Sequence, residues 1–394
     1  MFQALILGDF MKVIKCLFPL LLLTVFLCIP GFGEAKDANM RAYYDEKMTV
    51  EEEVIKAVII NIPYDDLDEE RPDIPVEADV RFQHLQIQLI SGNHIGEVFT
   101  VRNTVEYVNP YNLIFEVGEE ILLYQTETPD GAIEGLRIFE RPREGSIYFI
   151  VGLFFVALIA IGGLKGFKSA ITLLFTGSLI FLVMIPALLK GINPILISVI
   201  VCALSSAFTL VVVSGRNRKT VTAILGTVGG VLAAALIALF VGNWARLTGL
   251  GNEEAQLLAF VPQFRNLDYK GLLFAGIIIG ALGAVMDVAM SIASSMSEIE
   301  LIHPKISNKE LFKSGMNVGR DIMGSMSNTL ILAYVGSSIQ VLLLFYSFNV
   351  SSYAIINMDH MASEIIRAMA GSIGLVFAIP ITAAIYTYNR KNHS

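Results

Sequence analysis

Residues Gly276 to Glu300 read GIIIGALGAVMDVAMSIASSMSEIE. Asp287 is the one charge in this run before Glu298. A stretch this long and apolar crosses a bilayer as a helix, because a helix satisfies its own backbone hydrogen bonds where no water can. At 3.6 residues per turn, Gly276, Gly280, Gly283, Asp287, Ser291, Ser294 and Glu298 fall on one stripe. Small residues on a stripe let another helix come close. A carboxylate in hydrocarbon must pair, meet water or take up a proton, since an unpaired buried charge is costly. Asp287 is therefore the leading candidate for a substrate, ion or proton role. Hydrogen bonding between helices is the structural alternative.

The next span begins GRDIMGSMSNTLILAYVGSSIQ, Gly319 to Gln340, where Asp321, Ser325 and Asn328 share a face flanked by Ser327 and Thr329. Between the two spans lies HPKISNKELFKSGMNVGR, starting at His303. Ser307 with Glu310 three residues on predicts a capped helix start. That helix either lies along the inner surface or simply connects the spans. The expected path residues are Asp287, Ser291, Ser294, Asn328 and Thr329. Glu298, Arg320, Asp321 and Ser325 form the expected inner polar rim, with Arg320 a partner for Asp321 or Glu298. No catalytic residue and no metal ligand set is expected.

Working outward, seven apolar stretches have about the length of a bilayer crossing, near 147–164, 169–189, 192–214, 220–242, 270–294, 325–347 and 363–387. Basic residues gather after the first, third, fifth and last of them, at Lys165, Lys168, Arg216, Arg218, Lys219, Lys305, Lys309, Lys313, Arg320, Arg390 and Lys391. The positive-inside rule puts these ends in the cytoplasm and the amino-terminal domain outside. Trp244, just past a span end, reads as an interfacial anchor. Gly226 with Gly230, and Gly371 with Gly374, read as helix-packing positions, and Pro380 as a bend.

The chain has 394 residues, 16% of them charged, against about 25% in an ordinary soluble domain. From Glu34 to Glu144 its net charge is −15, and the remainder carries +7. This balance argues against a nucleic-acid partner. Lys12 and Lys15 followed by the apolar run from Cys16 read as a signal peptide ending near Gly33 to Ala35. Residues 35–145 then read as a soluble domain, strongly acidic at first and alternating as short strands from His84. Leu85, Ile87 and Leu89 share one face, as do Phe99, Val101 and Val105 after Gly96, and Gly118 marks a turn. A small β-barrel or sandwich is expected. His84 and His94 sit in no ligand spacing, so both read as surface residues. Cys16, Cys28 and Cys202 all lie in apolar runs, against a disulfide or zinc site.

The blocks GALGAVMDVAMSIASSMSEI and GRDIMGSMSNTLILAYVGSS closely resemble the YibE/F family of bacterial multi-pass membrane proteins. The resemblance extends from about Gly96, with GEVFTVRN, to Tyr388. It implies a bacterial cell-membrane protein with an exported amino-terminal region. It carries Asp287, Ser291, Ser294, Glu298, Arg320, Asp321, Ser325, Asn328 and Thr329 as matching positions, and it supplies no substrate or reaction.

The expected fold is therefore an α-helical polytopic membrane protein, with about seven spans after a signal peptide and a small, mainly β extracytoplasmic domain. The expected divisions are 1–34, 35–145 and 146–394. The bilayer is the expected partner, with a small solute or ion as cargo and a membrane protein as a further associate. No cofactor is expected, since no phosphate-cradling glycine loop occurs. The leading functional expectation is a transporter or permease. Its rival is a non-transporting scaffold, sensor or accessory subunit, for which the acidic domain speaks. A membrane enzyme ranks third, because His303 and His360 fall on opposite membrane faces.

Overall fold

The computed structural model describes residues 52–67, 79–106, 108–128 and 130–391. The expected signal peptide, 1–34, lies outside the described residues. The chain divides into two compact units, the break falling between Phe154 and Phe155.

The first unit holds β1 (Glu52–Asp65), β2 (Val80–Leu89), β3 (Val98–Glu106), β4 (Glu120–Glu127) and β5 (Ile133–Glu140) in one antiparallel sheet, ordered β3-β2-β1-β4-β5. The edge strands β3 and β5 come back beside one another. One sheet curled until its edges meet is a partly open barrel, with the strand order of the OB type, rather than a sandwich. Strand β1 makes this possible. Its first half pairs with β4 and its second with β2, with register shifts between Ile59 and Tyr64. The expected alternation is present: Leu85, Ile87 and Leu89 are buried, as are Val101 and Val105, with Phe99 packed against the same core. Gly118 turns at φ 92°, a left-handed value that favours glycine. The interior also contains amides. Gln83 Nε2 donates to the Phe115 carbonyl at 3.1 Å, Gln83 Oε1 accepts from Phe115 N at 3.1 Å, and Asn103 donates to Gln83 Oε1 at 3.1 Å. This network satisfies the buried polar groups and fixes the segment after β3 over one end of the barrel.

The second unit is helical. Among the described residues five helices are long and apolar enough to cross a membrane: α1 (Glu144–Leu189), which begins ahead of the break, α2 (Pro194–Ser214), α3 (Arg218–Trp244), α5 (Tyr269–Ile302) and α9 (Asp359–Lys391). Helix α4 (Glu253–Phe260) lies in the connection between α3 and α5. A sixth candidate is the pair α6 (Asn308–Ser337) and α7 (Ile339–Ser347), bent by 57° at their junction. The short α8 (Ser352–Asn357) leads into α9. Five to six spans are thus found where the apolar runs predicted seven. The difference arises in α1, 46 residues that take in the first two expected spans. Gly163 breaks its helical geometry at φ 54°, ψ −133°. A side chain at Gly166 would collide with the Leu158 carbonyl and lie 3.3 Å from the Ile159 Cα. In an unbroken helix residues eight apart are about 12 Å apart along the axis. The chain therefore doubles back at Gly163.

Helix α5 is the centre of the unit, with α2, α3, α6 and α9 packed around it. Ile277, Ile278, Val285, Ile292 and Met296 on α5 are fully buried. The tightest seam joins α3 to α9. A Cβ at Gly230 would sit 3.0 Å from the Gly374 carbonyl oxygen, and one at Gly374 would sit 2.8 Å from that of Gly230. Gly226 faces Thr382 and Gly371 faces Leu330 and Ala281, so the glycine spacings do mark close helix contact. Asn217 and Asn193 accept backbone N–H groups at the starts of α3 and α2. Ser307 and Glu310 form the expected capping box. The connection between α5 and α6 is only 303–307. No separate surface helix forms there, because the capped segment runs straight into α6.

Candidate functional site

Two contacts set the register of α5 against α6. Gly315 meets Met296 near the inner turn, and Tyr334 reaches over Gly280 further out. Interpolating between them puts Asp287 level with about Ser325, so Asn328 is one turn, about 5 Å, further along. The expected path residues therefore do lie at similar depth on neighbouring helices.

The faces they occupy are open. Along the α5 stripe Gly276, Gly280, Gly283, Asp287, Ser291 and Glu298 are exposed, and Ser294 is half-buried. On α6, Arg320, Asp321, Ser325, Asn328 and Thr329 are all exposed. Helix α6 buries only Leu311, Gly315 and Gly319, at its inner end. From Arg320 to Ser337 none of its residues is buried. Met323 and Met326 pack against the core with long side chains instead. The hydroxyls are turned back onto their own helix: Ser325 donates to the Ile322 carbonyl at 3.0 Å and Thr329 to the Ser325 carbonyl at 2.9 Å. Their protons are thereby occupied, and their oxygens face outward as acceptors. Asp287 has no hydrogen bond or ion pair among the described residues. A face of one carboxylate, one amide and acceptor oxygens can solvate a cation or a polar solute, or pass a proton. Among the described residues no group of three or more His, Cys, Asp or Glu side chains is arranged to hold a metal ion.

The inner rim differs from expectation. Arg320 pairs with neither Asp321 nor Glu298 and makes only a long contact, 3.4 Å, to Asn317 Oδ1. The carboxylate that is engaged at this end is Glu300. Arg218 of α3 donates to its Oε2 at 2.5 Å, Tyr386 of α9 to the same oxygen at 2.8 Å, and Arg390 lies 3.1 Å from Oε1. The Arg218 guanidinium also stacks over the Tyr386 ring at 4.5 Å. Arg390 continues to the Pro304 carbonyl at 2.7 Å, tying down the α5–α6 turn. At the opposite end of the helices Thr248 donates to Asp359 at 2.7 Å, and on α9 Glu364 pairs with Arg367 at 3.1 Å. The inner turn borders a cleft of about 700 Å³ lined by His303, Pro304, Lys305, Ile306 and Glu310. Sequence reasoning passed over Glu300, and its neighbour Glu298 is the one that stands free.

The match to known proteins falls on this helical unit. A model of the YibE/F-like protein family covers residues 150–392. The chain belongs to that family. The YibE/F-like region begins at the first apolar run, so GEVFTVRN and the rest of the β domain lie ahead of it, and the resemblance is shorter than the sequence suggested. Every expected site residue falls inside the YibE/F-like region. No curated protein and no solved structure matches the chain.

Proposed function

We propose that this membrane protein moves a small solute or ion along the polar face of α5 and α6, with Asp287 as its central carboxylate. The observation that carries the reading is the position of Asp287, 18 residues into a 34-residue spanning helix on an open face. Inserting an aspartate at a span centre costs about 2.5–3.5 kcal/mol. Such a residue, with Ser291, Ser294, Asn328 and Thr329 beside it, fits a path better than a packing seam. Glu298, Arg320, Asp321 and Ser325 form the mouth of that path. The reading includes a bacterial cell membrane, a removed signal peptide, the β domain outside and the carboxyl terminus inside. The reversal at Gly163 supports two crossings from α1, which restores seven in all.

Asp287→Asn is nearly isosteric and removes the charge. In reconstituted vesicles, with flux normalised to folded protein, it is expected to lower movement of the cargo at least tenfold while leaving the amount of folded protein close to wild type. Full flux in a well-folded variant would defeat the proposal. A loss of folded protein, in step with flux, assigns Asp287 to structure.

A second reading, as a sensor or accessory subunit, draws on the β domain. Its barrel seam holds a cleft of about 250 Å³ lined in part by Arg102, Arg137, Asn112 and the exposed Tyr111. Two guanidiniums are notable in so acidic a domain.

A further inference from the structure

We propose that a second copy of this chain closes the polar face of α5 and α6, so that the path around Asp287 lies at a two-fold interface. The proposal deepens the transport reading and rests on it for the role of Asp287. The association itself follows from packing and charge.

Lipid cannot cover this face. Asp287, Asn328 and Asp321 are exposed on helices that cross the hydrocarbon, where each unsatisfied polar group costs several kcal/mol. Among the described residues of the helical unit, none is packed over it. The first arm of α1 has no buried residue from Phe149 to Leu164, and it has no polar side chain to offer there. Helix α6 also lacks buried residues from Arg320 onward, and α7 and α8 have none. About 27 Å of helix, at 1.5 Å per residue, thus goes without close packing. That is the condition of a surface completed by association.

A second copy fits better than another protein because the face complements itself. Two identical chains in one membrane orientation meet about an axis along the bilayer normal, where each residue faces groups at its own depth. Arg320 and Asp321 are adjacent, exposed and without an ion pair among the described residues. Across such an axis Arg320 of one copy meets Asp321 of the other, twice. Gly276, Gly280 and Gly283 remove the side chains that would otherwise hold the two α5 helices apart. With both copies present, two Asp287 carboxylates and two Asn328 amides line one enclosed space.

Cysteine cross-linking tests the arrangement, with the native Cys16, Cys28 and Cys202 replaced by serine. Gly283→Cys and Ala333→Cys are placed on the two faces, and Leu236→Cys on the exposed side of α3 serves as control. In purified, reconstituted protein at least one of the first two should form disulfide dimers and the control should not, while single-molecule bleaching shows two steps. Arg320→Asp and Asp321→Arg should each cut the dimer fraction several-fold, and the double reversal should restore it. Cross-linking at neither position with one-step bleaching in folded protein overturns the proposal and gives the face to another protein or to water. Failure of the double reversal to restore a dimer lost in both single variants overturns the pairing. Dimers without flux count against the transport reading alone, and monomers with full flux count against this one alone.

Discussion

His94 shows what a single side chain can do in this protein. Its Nδ1 lies 3.0 Å from Glu97 and its Nε2 lies 3.1 Å from the Gly131 carbonyl, with Glu127 at 3.7 Å. Both ring nitrogens face acceptors, so only the doubly protonated imidazolium satisfies both. The hydrogen bond to Glu97 raises the pKa above the ordinary histidine value, helped by Gly131 and by the two glutamates and opposed by desolvation. A raised pKa in the folded state means that the stabilisation is complete below about pH 6.5, the unfolded value, and fades as pH rises through the folded one. Hydrogen-exchange protection of the turns at 91–97 and 130–132 in the full-length protein should fall between pH 6 and pH 8.5, after correction for intrinsic exchange. His94→Gln should show low protection at both pH values, and an unchanged pH response in that variant would remove His94 as the cause. The sequence shows this histidine only as a polar residue in a turn, because its second acceptor comes from 37 residues away. Glu300 was hidden for the same reason, its partners lying 82 and 86 residues along the chain. Asp287 was legible because one charge in an apolar run needs no partner to be noticed.

Among the elements, the α3–α9 seam makes the sharpest demand on its residues. The backbones approach so closely at Gly230 and Gly374 that any Cβ meets a carbonyl oxygen or an alanine. Gly230→Leu should therefore destabilise the helical unit by about 1–3 kcal/mol, the range for overpacking. Gly177→Leu on α1, where nothing stands within 4 Å, should not. Thermal melting in detergent compares them, and equal midpoints would contradict the packing. Helix spacing made this seam legible, since small residues three or four apart fall on one helix face and let a second helix come close. Strand β1 was less legible. Its charged ends, Glu52 and Asp65, and the register shifts near Asn61 blur the alternation of Ile55, Ala57 and Ile59. The stripe on α5 was found by the same periodicity, but periodicity groups residues on a face without telling what covers it. The openness of that face is a tertiary fact.

For the whole molecule, the division into a β unit and a helical unit follows the charge balance of the sequence, and the family match begins almost at that boundary. A membrane-impermeant thiol reagent applied to intact, wall-stripped cells should label a cysteine at Asp130 and spare one at Lys305, each in a background without native cysteines. The reverse pattern would turn the protein over and place the Glu300 cluster outside. The arrangement of α6 has a mechanical consequence. The helix is clamped at its inner end by Leu311, Gly315 and Gly319, and cushioned further out by methionines, Leu330 and Tyr334. If α6 tilts, its clamped end at the α5–α6 turn is the fulcrum. A tilt of about 10° about that fulcrum would shift the far end of the 18-residue arm by about 5 Å while barely moving the clamp, at a rise of 1.5 Å per residue. On the transport reading proposed above, this tilt would open the far mouth of the path and leave the near one shut. On the same reading, release toward the near side would need a different event, beginning at the Arg390 bonds that hold the turn.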